Sequence, residues 1–339
     1  MKYGVSLYSY QVAYENGKMD LEDCLKAMKA IPGNVNGLEL LADRKKCYKQ
    51  VGYIGTLSET DQGKLKGLLD KYEIQPVCYD STITYDIGRN LFSKLDFSRN
   101  PSKTAYEDQM DVMRQELDFA ASFGFPLMRA PMFYGIYKEV VRDSLKYASE
   151  LGIKICCEIH APLSADGPLV QEYLEMVDST CPEAGGIIPD FGIYQRHMAK
   201  PGYRDALAKG ADPDLLRAID EAYDNNEDID LIFESFNASP EDPALAKLYR
   251  RVKYKPIPDD PQKLKQLISY IENVHVKFYE MDQNLNEYCI DMEGPMKVLK
   301  DAGYDKYLCA EYEGQICTSP EELDEVTQVD RAMRYIQSF

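Results

Sequence analysis

Along this chain the apolar positions alternate between two periods. Short continuous apolar runs, expected of strands buried on both faces, occur at 3–7, 37–41, 74–79, 126–130, 153–158, 186–190, 274–278 and 307–311. Between them apolar residues recur every three or four positions, which predicts helices at 21–30, 59–72, 106–123, 137–150, 170–178, 260–272, 292–302 and 321–337. Several predicted helices run into a glycine just before the next strand, at Gly124, Gly152 and Gly303, the residue that most easily closes a helix C-terminus. Eight strands alternating with helices predict parallel βαβ units closing into a (β/α)8 TIM barrel, one domain over 1–339. One spacing is irregular. Asp190 and Val274 are more than eighty residues apart, where a βαβ unit needs about 30. The surplus, 194–258, is rich in Asp, Pro and Tyr. It predicts at least two helices, at 201–209 and 213–225, and holds the basic run Arg250-Arg251-Val252-Lys253. It reads as a long insertion between strands 6 and 7, an elaborated βα loop on the active face of the barrel.

Composition narrows the function. The chain is 339 residues long and 45% apolar, which one barrel with an inserted loop can accommodate. Its net charge of −18 opposes binding to nucleic acid and to anionic membrane surfaces. A neutral small molecule, a sugar or glycoside, fits that balance better. No apolar run nears the ~20 residues of a membrane span. Met1 leads straight into the first strand-like run with no leader pattern, so a cytoplasmic location is expected. The nine cysteines are odd in number, scattered and without a CxxC pair, so they read as reduced thiols and not as disulfides or a structural zinc site.

The fifth strand carries the first chemistry. It reads Ile-Lys-Ile-Cys-Cys-Glu and runs on into Ile159 and His160. Residues two apart in a strand share a face, so Glu158 and His160 project together. A carboxylate in so apolar a strand needs a partner or a metal. Chemistry in such barrels sits at the C-terminal strand ends. Those ends supply Glu158, Asp190, His275 and Glu311 from four consecutive strands. Any one of them alone has a plain use as a cap or loop partner; all four together predict a divalent cation. Three carboxylates and one imidazole make a hard, anionic cage suited to Mn2+, Mg2+, Co2+ or Fe2+.

Further polar residues follow the same strands. Lys277 lies two past His275, either as a hydrogen-bond donor to substrate or as an ion-pair partner of a ligand carboxylate. Glu313 lies two past Glu311 and suits sugar binding. Tyr8, Tyr10 and Gln11 follow the first strand and Arg129 lies in the fourth, all candidates for the pocket wall. Glu39 in the second strand reads as structural, Cys156 as a buried thiol and His197 as an exposed residue of the insertion.

The set Glu158, Asp190, His275 and Glu311, with steps of 32 and 36 residues inside its two pairs, resembles the xylose isomerase-like barrel superfamily of sugar isomerases and epimerases, over the whole chain. The resemblance implies that Glu158 and Glu311 combine ligation with acid/base work on a carbon beside a sugar carbonyl. In ketose 3-epimerases a His follows the sixth-strand Asp by three residues, whereas this chain has Ile193. A DNA-repair endonuclease family of the same fold uses three zinc ions and many histidines; this acidic chain has three histidines. The Glu158-Ile159-His160 pair, the chain length and the inserted loop resemble the α (catalytic) subunits of bacterial C-glycoside deglycosidases. That resemblance implies a Mn2+-type site, His160 as the base at sugar C2 of a 3-oxo-glucoside, and C–C cleavage by β-elimination. It also implies a small β subunit, with 194–258 as one docking surface. A sugar isomerase or 3-epimerase is the alternative. A non-catalytic interaction module is the reading from another class, and the presence of all four ligands argues against it.

Overall fold

In the computed structural model of the protein the expected strands form at the expected places. Residues 1–41, 59–81, 103–130, 136, 138–253, 255, 257–319 and 324–339 are described. The strands are β1 (Lys2–Ser6), β2 (Val35–Leu41), β3 (Gln75–Asp80), β4 (Leu127–Ala130), β5 (Lys154–Ile159), β6 (Gly185–Pro189), β7 (Asn273–Phe278) and β8 (Tyr307–Tyr312). Each falls within two residues of its predicted run. All ladders are parallel, in the order β6-β5-β4-β3-β2-β1-β8-β7. Between β6 and β7 the described residues form only isolated bridges, Ile187 with Ile271 and Asp190 with His275. The sheet is therefore a nearly closed barrel with a thin seam.

The helices are α1 (Gln11–Glu15), α2 (Leu21–Ala30), α3 (Glu59–Tyr72), α4 (Lys103–Ser122), α5 (Lys138–Glu150), α6 (Pro168–Thr180), α7 (Lys200–Ala208), α8 (Pro213–Asn225), α9 (Ile229–Ser235), α10 (Ala246–Val252), α11 (Glu293–Asp301) and α12 (Glu325–Gln337). Local chemistry explains their limits. Asp20 opens α2 with a reciprocal capping box to Asp23. Gly124 and Gly152 take φ values of 77° and 72° after α4 and α5, the left-handed geometry a side chain resists. Buried faces such as Leu25 and Met28 of α2, Val140 and Leu145 of α5, and Val329 and Met333 of α12 pack on the outside of the sheet. Inside, Val77, Cys78, Leu127, Cys156, Ile188 and Cys309 fill the barrel. The eight described cysteines are free and buried; Cys47 lies outside the described residues.

One expectation changes. The predicted helix at 260–272 is two 3-10 turns, Pro261–Gln266 and Ile268–Tyr270. Ile271 already bridges to Ile187 of β6, so the chain must be extended by that point. Leu264 and Leu267, three residues apart and both buried, align on one side of the tighter turn. Residues 194–258, expected to hold at least two helices, hold four, α9 and α10 joining the two whose bounds were read. All four helices of this stretch pack around their own apolar cluster, which includes Met198, Leu216, Ile219, Tyr223, Phe233 and Leu248. Tyr137 and 321–323, predicted as helix, lie outside the described residues.

Candidate metal centre

Side chains alternate along each strand, so one strand face lines the barrel interior in successive layers. Each of β5, β6, β7 and β8, together with the residues just past its end, supplies three residues at steps of two along the chain. The deepest layer holds Cys156, Ile188, Asn273 and Cys309, all buried. Two residues on come Glu158, Asp190, His275 and Glu311. Their ligand atoms lie within 4.8 Å of one another, and all four residues are buried. Two residues further along the chain come His160, which is half-buried, and the buried Gly192, Lys277 and Glu313.

The middle layer is tightly charged. His275 Nδ1 lies 2.8 Å from Glu158 Oε1 and 3.6 Å from Glu311 Oε2, and its Nε2 lies 2.8 Å from Glu39 Oε2. Glu158 Oε2 faces Arg129 at 3.5 Å, and Arg129 also pairs with Asp80. Asp190 Oδ1 accepts the Gly192 backbone N–H at 2.5 Å, while Lys277 Nζ sits 2.6 Å from Oδ2. Burial opposes the charge on Glu158, but Arg129 and the His275 hydrogen bond outweigh it and hold the carboxyl well below its usual range. For Glu311 burial wins, pushing it up to about 8 despite Lys277 and His275. Burial also disfavours charge on His275, yet Glu39, Glu311 and its hydrogen bonds raise it well above the usual imidazole value.

These residues fit a divalent cation. Glu311 Oε2 is buried and accepts no hydrogen bond; the cationic atoms of His275 and Lys277 each stand off at 3.6 Å. Glu39, Asp80, Glu158, Asp190, Glu311 and Glu313 are all buried carboxylates. Among the described residues these six face four cations, Arg129, Lys277, Arg251 and the His275 imidazolium. Positive charge is therefore short where four donors converge. The donor set, three carboxylates and one imidazole, is that of a hard divalent ion.

The outer layer is where a substrate would touch. His160, at the end of β5, is half-buried, with Nδ1 2.6 Å from the Ala161 carbonyl oxygen. A carbonyl only accepts, so Nδ1 carries a hydrogen, and in the neutral ring the basic lone pair is then that of Nε2. Glu313 is bonded by Tyr8 and stands 3.7 Å from Lys277 and 3.6 Å from Arg251. Burial works against its charge, but Lys277, Arg251, His160 and the Tyr8 hydrogen bond together hold it low. Lys277 forms an ion pair with Asp190. Tyr10 is not at the mouth; Cys24, Glu325 and Asp330 surround it, placing it beneath α2 and α12. His197 stays remote, bonded to Asp224 and stacked on Tyr288. Sequence reasoning missed Arg251 as a neighbour of the site, although its basic run stood out, and gave Glu39 no link to His275. The signal for Glu39 was a carboxylate inside an apolar strand.

Comparison with known proteins bears on the same architecture. The family model described as xylose isomerase-like TIM barrel matches residues 25–339. The chain belongs to that family. Among its relatives is a C-glycoside deglycosidase alpha subunit from Arthrobacter globiformis, 24% identical over 97% of this chain and 89% of the relative. A 3'-dehydrocarminate deglycosidase alpha subunit from Microbacterium sp. is 25% identical over 68% of this chain and 70% of its own length. Among solved structures, a D-allulose 3-epimerase from Methylomonas sp. shares the fold with a TM-score of 0.58 and 11% identity, covering 100% of this chain and 97% of that one. This xylose isomerase-like barrel thus has sugar-modifying enzymes as relatives. Among its described residues no helix is long and apolar enough to cross a membrane.

Proposed function

We propose that this barrel is the catalytic subunit of a metal-dependent C-glycoside deglycosidase, cleaving the C–C bond of 3-oxo-C-glucosides. Support comes from one arrangement above all: an imidazole with its basic nitrogen defined, one layer outside four converging ligands. Glu158, Asp190, His275 and Glu311 would hold the ion, with Mn2+ our first choice. When bound, a divalent cation supplies polarisation of a sugar carbonyl, which acidifies the neighbouring C–H. His160 Nε2 takes the proton from sugar C2, beside the 3-keto group. The C2 electron pair then forms the C1=C2 double bond as the C1–aglycone bond breaks. Its pair leaves with the aglycone carbon, which receives a proton that the His160 imidazolium can return. Glu313, Tyr8, Lys277 and Arg129 would line the sugar site. Within a single domain over 1–339, the helices of 194–258 form an elaborated loop suited to docking a small β subunit. A cytoplasmic location completes the proposal.

A ketose 3-epimerase remains the second reading, with Glu158 and Glu311 as the acid/base pair. The buried, apolar Ile193, where such epimerases carry an imidazole, stands against it. Protein stripped by chelator and reloaded with Mn2+ is assayed on 3-oxo-C-glucosides and on free ketoses. Aglycone release that requires the ion supports the lyase. C3 inversion of ketoses with no aglycone release would overturn it in favour of the epimerase.

A further inference from the structure

Glu39 comes from β2, which is separated from β7 by β1 and β8 in the sheet. Its carboxylate crosses the barrel interior and is wholly buried. One oxygen, Oε2, takes two donors from the same strand: Asn273 Nδ2 at 2.8 Å and His275 Nε2 at 2.8 Å. Asn273 precedes His275 by two residues and is also fully buried. A carboxylate oxygen only accepts, so Nε2 carries a hydrogen toward Glu39, while the hydrogen on Nδ1 toward Glu158 is the one a bound ion would displace. The other ring nitrogen, Nδ1, is thereby the atom turned toward Glu158 and Glu311. Glu39 is outside the group of four converging ligands, so it acts on that group through the ring.

We infer that Glu39, anchored by Asn273, is the positioning residue that fixes the orientation and tautomer of His275 and presents Nδ1 as the metal-binding nitrogen. A carboxylate at the remote nitrogen locks the ring plane and strengthens the donor, and losing such a partner typically weakens a metal site 10–100-fold. The amide of Glu39→Gln can offer a hydrogen where the carboxylate accepted one. That lets Nε2 take the lone pair and Nδ1 the hydrogen, the tautomer that cannot ligate.

The inference rests on the metal reading of the site, and the experiment separates the two. Mn2+ affinity is measured by calorimetry on chelator-treated wild type, Glu39→Gln and Glu39→Asp, with the melting temperature of each recorded with and without Mn2+. The expected result is a Kd raised about 10–100-fold in Glu39→Gln, a smaller rise in Glu39→Asp, and a matching loss of the Mn2+-induced Tm gain. A merely structural Glu39 would lower the metal-free Tm while leaving both Kd and that gain unchanged; this outcome overturns the inference. Should neither variant fold, Asn273→Ala decides: a several-fold higher Kd supports the anchor and an unchanged Kd overturns it. Wild type that binds no divalent ion sinks the metal centre itself along with this role.

Discussion

At the scale of single residues the centre separates holding an ion from moving a proton. Asp190 sits inside the ligand group and His160 one layer out. Asp190→Ala is expected to lose the metal, measured by elemental analysis after purification. His160→Ala is expected to keep it and lose turnover by roughly 10²–10⁴-fold, the usual worth of a positioned base. Near wild-type rates in His160→Ala on every active substrate would remove it as the base. Gly192 offers a finer probe. A Cβ there would stand 2.9 Å from Asp190 Oδ1 and 3.1 Å from Lys277 Cδ, so Gly192→Ala should push both side chains and weaken Mn2+ binding with the fold retained. An unchanged Kd would mean that the mouth yields freely at that point. The convergence of the four donors was legible in sequence because a strand end in a parallel barrel can point a residue only in or out. Glu39's role was not, since it depends on two strands that are not neighbours. The ion pair of Lys277 with Asp190 was not legible either, because it depends on how far the ammonium stands from that carboxylate, which no spacing reveals.

At the scale of elements the strands were read to within two residues because buried parallel strands are nearly uninterrupted apolar runs. The miss at 260–272 has a tertiary cause: apolar spacing of three and four suits a helix, but pairing of Ile271 with β6 leaves no room for one. The short α9 and α10 escaped notice because seven residues span less than two full turns of any periodic signal. Yet α10 bears on the site. Its Arg251 reaches within 3.6 Å of Glu313, its one ion pair among the described residues. A guanidinium beside a carboxylate can donate to one sugar oxygen while the carboxylate accepts from the next. Arg251→Ala is therefore expected to raise KM about tenfold, as loss of one charged hydrogen bond would, with Mn2+ affinity unaltered. Steady-state kinetics beside metal titration checks this, and an unchanged KM would assign Arg251 to holding α10 in place.

At the scale of the whole molecule, buried acids set how stability should vary with pH. Burial pushes Glu116 of α4 and Glu287 up to about 7 and Glu311 to about 8, whereas an unfolded glutamate titrates near about 4.3. Between those limits the native state holds more protons than the unfolded chain, so stability is greatest below the window and is lost as pH rises through it. Glu158, held low, changes charge below that window and does not offset the trend. The Tm of the metal-free protein is expected to fall as pH rises from about 5 to about 8. The Tm gain on adding Mn2+ should grow over the same range, because the ion takes the place of a proton at Glu311. A flat profile without metal would contradict the protonated acids. The seam between β6 and β7 gives a last consequence. Asp190 and His275 form one of its two bridges and are also two of the four converging donors. Whatever they grip together doubles as a rivet for the weakest joint of the cask. Amide hydrogens of those two staves should exchange fastest in the stripped protein and slow once it is loaded, while the far wall, stitched by full ladders, hardly notices.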